Sequence, residues 1–330
     1  MKFYLLAMVM ILGAATSAWG AAPLRIGYVT ALANAPVLIA ERQGYFARQR
    51  LAVTLIPFGD GPLIQQAVAS GQLDVAYIGA PPVYQWYARG LDMRILAKVN
   101  SGQAAIVVKT NGPIKNLADL RGRKLAGVSR GSGMDVLLRG VVLRDIVKLK
   151  PDIDVSLVQI PVASMNAALD TGIVDAVFEW EPFVSQSVLR GTGRVLLDAD
   201  QALPGYPAYV IAAQVKTLQA RPDDIVKLLR AHHQAIEFLN SQPAAANQIV
   251  AASFKLAPVQ SAGGKTIPPD AIVAEARKRI GWFDRIEPTD RGFIQRMIDQ
   301  SLALGFLQKP LTVAQVTDDS FQIRAIGAGK

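Results

Sequence analysis

The sequence predicts an α/β chain folded as two similar lobes, each a mostly parallel sheet flanked by helices. Three observations carry this. Strand-like and helix-like segments alternate from residue 24 onward, the pattern that sets parallel strands beside covering helices. The order strand, helix, strand, helix, strand then returns after about one hundred residues. The 330 residues are 51% hydrophobic and 18% charged, a globular composition long enough for two cores.

The first unit reads in order. "LRIGYV" (24–29) is a strand, and "NAPVLIAERQGYFARQR" (34–50) an amphipathic helix with Asn34 placed to cap it. "AVTLIPF" (52–58) is a strand, "PLIQQAVASG" (62–71) a helix ending at a glycine, and "LDVAYIG" (73–79) a strand. In the second unit "KLAGVS" (124–129) parallels the first strand and "DVLLRGVVLRDIVK" (135–148) the first helix. "DVSLVQIP" (154–161) parallels the second strand. "NAALDTGIVDAVFEWEP" (166–182) parallels "QQAVASGQLDVAYIGAPP", with Gly172 matching Gly71, Asp175 matching Asp74, Phe178 matching Tyr77 and Pro182 matching Pro81. Between and after the units, "ILAKVNSGQAAIVVKT" (95–110) and "GYPAYVIAAQ" (205–214) are apolar and strand-like, which suits crossovers between lobes.

Ahead of the first strand, Lys2 precedes an uncharged apolar run, Phe3 to Ala15, then small residues ending Ala18-Trp19-Gly20. This reads as a secretory signal peptide over residues 1–22, cleaved after Gly20 or Ala22, because the run is short for a membrane span and has no basic stop-transfer flank. The chain has no cysteine. That excludes disulfides, a lipid-modified N-terminal cysteine, thiolate metal sites and a cysteine nucleophile. An exported chain without that lipid anchor is expected free in the periplasm. The net charge is +9, but the basic residues are scattered among acids and are not interleaved with aromatics. This is a mild field favouring anions rather than a nucleic-acid footprint.

Ligands of open α/β sheets bind beyond the carboxyl ends of the strands, near the N-termini of the following helices. In the first unit those loops are "TALANAP" (30–36), "GDGP" (59–62) and the segment through Gly79 and Ala80. Thr30, Asn34 and Asp60 offer hydrogen bonds there; Asn34 and Asp60 read equally as helix cap and turn residue. In the second unit "SRGSGMD" (129–135) follows a strand and opens a helix. Ser132 and Asp135 fit a capping box, and Gly133 permits close backbone approach to an anion. The loop lacks the Gly-Lys-Ser/Thr ending of a P-loop. Ser129, Ser132, Gly133 and Met134 are therefore candidate contacts, with Gln103, Tyr206 and Tyr209 from the crossovers.

"VDAVFEWEP" (174–182) ends at the second unit's third strand. Glu179 and Glu181 share a face if the segment is extended. One reading makes them a catalytic carboxylate pair of a secreted enzyme. Against it, both come from one lobe, whereas glycosidase carboxylates flank their substrate. The other reading makes the segment a binding edge, with Glu181 as a polar contact for an amine, Trp180 as the apolar contact and Glu179 structural. Pro182 is expected to start the next helix. His232 and His233 are adjacent on a helical segment and diverge, so no shared metal site is expected. No cofactor is expected, and no residue is assigned as catalytic.

"LRIGYV", "GQLDVAYIGAPP", "NLADLRGRKLAGVSRGSG" and "GIVDAVFEWEP", taken together, resemble the periplasmic substrate-binding proteins of taurine, alkanesulfonate and related ABC transporters. The resemblance extends through the late "ALGFLQKP". It implies a two-lobed periplasmic-binding-protein fold of the venus-flytrap, type II kind. The first lobe would take residues 23–108 and 205–330, and the second 109–204. It also implies a monomer that carries a small organic anion or zwitterion, taurine or another aliphatic sulfonate, to a membrane permease. A pyrimidine-type thiamin precursor is the alternative ligand.

Overall fold

The computed structural model describes residues 22–327. The leader expected over residues 1–22 lies outside them apart from Ala22. Strands β1 (Leu24–Val29), β2 (Val53–Phe58), β3 (Val75–Ile78) and β4 (Met93–Gly102) build the first sheet. Strands β5 (Ala104–Lys109), β6 (Lys124–Gly127), β7 (Ser156–Gln159), β8 (Ala176–Trp180) and β9 (Gly193–Asp198) build the second. The chain then returns to the first sheet as β10 (Pro207–Gln214), forms a short hairpin of β11 (Val259–Gln260) and β12 (Thr266–Ile267), and closes the first sheet with β13 (Ile280–Trp282).

The strand orders are β13-β4-β10-β3-β1-β2 and β7-β6-β8-β5-β9. They are the same design used twice. β1 lies parallel between β2 and β3, and β6 lies parallel between β7 and β8. The antiparallel β10 follows β3, as the antiparallel β5 follows β8. The aspartates matched in the repeat explain why. Arg25 N–H donates to Asp74 Oδ2 at 2.8 Å while Asp74 N–H donates to Arg25 O at 2.9 Å. Lys124 N–H donates to Asp175 Oδ2 and Asp175 N–H to Lys124 O, both at 2.9 Å. Each exchange fixes the third strand of its lobe beside the first. The preceding turns place Gly71 at φ +75° and Gly172 at φ +81°, a left-handed conformation that glycine adopts without a Cβ penalty.

Local breaks follow from the same chemistry. The helix expected over 34–50 is two, Ala35–Arg42 and Tyr45–Arg48, because Gly44 between them sits at φ +69°. Asn34 precedes the first without capping it; its Nδ2 donates to Val29 O at 2.8 Å. The second lobe's first helix starts at Gly133 as an α-helical turn and widens to i→i+5 bonding over Leu137–Val147. The expected junction after residue 108 lies inside β5; the passage between sheets falls at Gly102–Gln103.

The C-terminal third covers the first sheet with helices Pro222–Ser241, Pro243–Ser253, Pro269–Ala276 and Pro288–Ala303. Each begins with proline, whose missing N–H costs nothing at a first helical position. His232 and His233 diverge on the longest of them. His232 is fully buried, with Nε2 donating to Lys98 O at 3.1 Å, so that Nδ1 faces Tyr77 Oη at 3.3 Å as the acceptor. Burial pushes the His232 pKa down to about 4, which keeps it neutral. His233 Nδ1 instead meets Asp284 Oδ2 at 2.5 Å. No helix among the described residues is long and apolar enough to cross a membrane.

Candidate functional site

The carboxyl ends of both sheets face each other across a cleft, and they touch. A Cβ added to Gly79, beyond β3, would lie 3.2 Å from Gly133 Cα; one added to Gly133 would lie 3.3 Å from Gly79 Cα. Only two glycines permit main chains of the two lobes to meet this closely. Polar contacts cross at the same level. Gln85 Nε2 donates to Gly131 O at 2.9 Å, Leu32 N–H to Glu181 O at 3.2 Å, and the Ser129 hydroxyl to the Asp60 carboxylate. Arg296 donates to Asp145 Oδ2 from Nη2 at 2.6 Å and from Nε at 3.1 Å. The lobes are closed.

Between them lies a cavity of about 40 Å³, smaller than the few hundred Å³ usual for ligand pockets (roughly 300–1,000 Å³). The first sheet and its loops bring Asp60, Gly79 and Ala80 to its wall. The second brings Ser132, Gly133, Met134 and Trp180, and the crossovers bring Gln103, Tyr206 and Tyr209. These ten expected residues converge. The others do something else. Thr30 is exposed and donates its hydroxyl to Phe58 O at 3.2 Å. Asn34 is buried on Val29 O. Ser129 holds Asp60 from outside the wall.

Glu181 requires a correction. It was expected to be the polar contact, but Trp180 faces the cavity and the glutamates on either side face away, as strand alternation requires. Glu181 is fully buried, accepting Ser185 N–H at 3.0 Å and Arg279 Nη1 at 3.0 Å. Burial pushes its pKa up to about 7 against the opposing pull of Arg279. Glu179 is fully buried, with no hydrogen-bond partner for either oxygen. Burial, then the charge of Glu181, raises its pKa well above the ordinary carboxylate range.

These shifts carry a sign. A carboxyl that keeps its proton longer when folded opposes folding once the unfolded chain ionises. Stability should therefore fall as pH rises from the ordinary glutamate value of 4.5 through the folded values, about 7 for Glu181 and higher than ordinary for Glu179. Scanning calorimetry between pH 5 and pH 8 (about that span, where these carboxyls titrate) should show Tm falling, and Glu179→Gln should flatten the slope. A slope unchanged by Glu179→Gln would show that Glu179 is already ionised in the folded state.

The Ser129–Asp135 loop is built from its own residues. Ser132 Oγ accepts Asp135 N–H at 3.2 Å, and Asp135 Oδ2 accepts Gly131 N–H at 2.8 Å. Arg139 Nε donates to Asp135 Oδ1 at 2.6 Å. Gly131 takes φ +79° at the bend. The helix start at Gly133 lies at the cavity wall, with Ser132, Gly133 and Met134 lining it. Asp60 joins both of its readings: Oδ1 accepts Leu63 N–H at 3.1 Å as a helix cap, and Oδ2 takes Ser129. Its side chain is engaged on both oxygens.

No lysine, arginine or histidine lines this cavity among the described residues. Its polar groups are neutral donors beside Asp60. Trp180 Nε1 is buried without a partner. Tyr206 Oη lies near the Ala104 amide but outside hydrogen-bond geometry. Burial raises the phenol pKa of both Tyr206 and Tyr209, so both keep their protons as donors at neutral pH. The rest of the wall is apolar, and part of it escaped the sequence reading: Phe293, Ile294 and Met297, from the helix Pro288–Ala303, meet Met134 and Leu137 there. Their spacing marked an apolar helix face, which is equally the signature of core. Dipoles at a helix start, hydroxyls and an indole N–H beside an apolar wall can hold a small anion with an organic tail. With Glu179 and Glu181 turned away, Asp60 is the one carboxylate lining the cavity among the described residues.

A model of the NMT1-like family matches residues 18–254. The chain belongs to the NMT1-like family. Over 219 residues it is 27% identical to an aliphatic sulfonates-binding protein of Bacillus subtilis (strain 168), covering 64% of each chain. A binding protein of Brucella abortus (strain 2308) is 25% identical over 297 residues, 88% of each. Among solved structures, the alkanesulfonate-binding protein SsuA from Xanthomonas axonopodis pv. citri bound to MOPS superposes with a TM-score of 0.74 at 24% identity. That match covers 89% of this chain and 97% of the other. The fold is that of the two-lobed periplasmic binding proteins.

Proposed function

We propose that this family member is the solute-binding component of an ABC importer, working in the periplasm without catalysis, and that its solute is a small aliphatic sulfonate. The observation that carries the reading is the closed cavity, in which neutral donors converge around the Gly133 helix start and face an apolar wall. A sulfonate has three oxygens for such donors and needs no cation when dipoles surround it. The names of the sulfonate-binding relatives support the same class. Differential affinity for the closed state would then drive the lobes together for delivery to the permease.

The cavity favours an amine-free sulfonate over taurine. Glu181 is committed to Arg279, and Asp60 has both oxygens engaged. An ammonium group would therefore enter without a free carboxylate. A thermal-shift panel of pentane-1-sulfonate, taurine and an aminopyrimidine tests this. Pentane-1-sulfonate at a hundredfold excess over its Kd should stabilise the protein by about 2.7 kcal/mol. Taurine should do less and the aminopyrimidine nothing. Stabilisation by the aminopyrimidine alone would replace the sulfonate reading with the thiamin-precursor one.

A further inference from the structure

The passage between the sheets has an unusual backbone. Gln103 has φ +101°, whereas the other non-glycine residues at positive φ (Arg50, Lys148, Asp152 and Lys255) lie between +50° and +63°, in or near the ordinary left-handed region. Such a conformation persists only where neighbours over-determine it. Here they do. Gln103 N–H donates to Arg279 O at 2.6 Å, and Gln103 O accepts Glu181 N–H at 3.1 Å. Gly102, at φ +72°, is equally confined: an added Cβ would lie 2.2 Å from Arg279 O. Arg279 immediately precedes β13 of the first sheet, and Glu181 immediately follows β8 of the second. Their side chains then close the loop as a buried pair, 11% and 0% exposed. Asp198 of β9 stands 3.5 Å from Arg279 Nε, and Glu275 stands 3.8 Å from its Nη2.

Two groups on this loop look into the cavity. The Gln103 side chain lines it with Oε1 buried and unpartnered, and Trp180, adjacent to Glu181, lines it with its indole N–H unpartnered. Arg279 does not line the cavity. We infer that Arg279 is a positioning residue: through the Gln103 backbone and the Glu181 carboxylate it holds Gln103 and Trp180 at the cavity wall and couples solute binding to closure of the lobes. Coulomb attraction weakens with distance and with the entry of water, so an opening motion that drew Glu181 from Arg279 would weaken the pair. The Glu181–Arg279 pair is thus a latch of the closed lobes.

The affinity arm of the test rests on the sulfonate reading, but the scattering arm needs no solute, so the two can fail separately. Arg279→Met should enlarge the radius of gyration of the solute-free protein in small-angle scattering. It should also weaken pentane-1-sulfonate by about tenfold or more in calorimetry. Arg279→Lys should recover part of both. Glu181→Gln, which keeps an acceptor for Ser185 N–H, should act in the same direction, and combining it with Arg279→Met should add little. A lower Tm with unchanged scattering and affinity would overturn the inference, leaving a purely structural pair. Failure of both variants to fold would overturn it in the same way. If wild type shows no sulfonate binding, the proposed solute falls, and the scattering arm alone decides on the latch.

Discussion

Gly133→Asp is expected to lower sulfonate affinity at least a hundredfold while leaving the protein folded. The Cβ it adds would sit 3.3 Å from Gly79 Cα and 3.7 Å from Pro81 Cδ. The nearest of these is main chain and cannot swing aside as a long side chain can, so the two loops must move apart by a few tenths of an ångström to close. The carboxylate would also stand where the helix start offers its amides to an anion. At about 4 Å and an effective dielectric near 20, two like charges repel by about 4 kcal/mol, and about 2.7 kcal/mol is already a hundredfold in Kd. Folding should tolerate the change. Gly133 is not at positive φ, and an acid in the first turn suits the helix dipole. Calorimetry with pentane-1-sulfonate, paired with a thermal melt, measures both. Wild-type affinity in a folded Gly133→Asp variant would remove the Ser129–Asp135 loop from the site.

Asp290→Ala should cost about 3–5 kcal/mol of stability, the usual consequence of removing one partner of a buried ion pair. Lys98 Nζ lies 2.6 Å from Asp290 Oδ1, with the side chains 7% and 3% exposed. Without the carboxylate the ammonium keeps only Gly205 O, at 3.0 Å. Asp290 also accepts Glu287 N–H at 2.8 Å, capping the helix Pro288–Ala303. That helix carries Phe293, Ile294 and Met297 to the cavity, so solute affinity should fall along with stability. Urea unfolding gives the loss. Replacing both partners with apolar residues, Lys98→Met with Asp290→Leu, should recover much of it, because no unpaired charge is then left inside. A loss below about 1 kcal/mol for Asp290→Ala would place the pair among solvent-screened ones.

The two-lobe plan and the cleft-facing loops were legible in the sequence because they rest on local, repeated patterns. Alternating apolar runs specify strands, Gly71 and Gly172 mark the end of the matched helix in each lobe, and Asp74 and Asp175 recur because each lobe ties its third strand to its first in the same way. The SRGSGMD segment showed its cap and its helix start for the same reason: Ser132 and Asp135 are three residues apart. Contacts between distant residues left no such mark. The face that Glu181 presents, and its partner, depend on Arg279, 98 residues away in sequence. The apolar wall at Phe293 and Met297, the meeting of Gly79 with Gly133, and the bent backbone at Gln103 likewise arise where separate elements pack together. Hydrophobic spacing says that a face is buried but not against what, and a charged residue's partner is set by which elements share an interior. The sequence by itself therefore determined the two-lobed architecture and half of the residues that line the cavity. Only the tertiary structure decided which side chains face the cavity and which tie the lobes together.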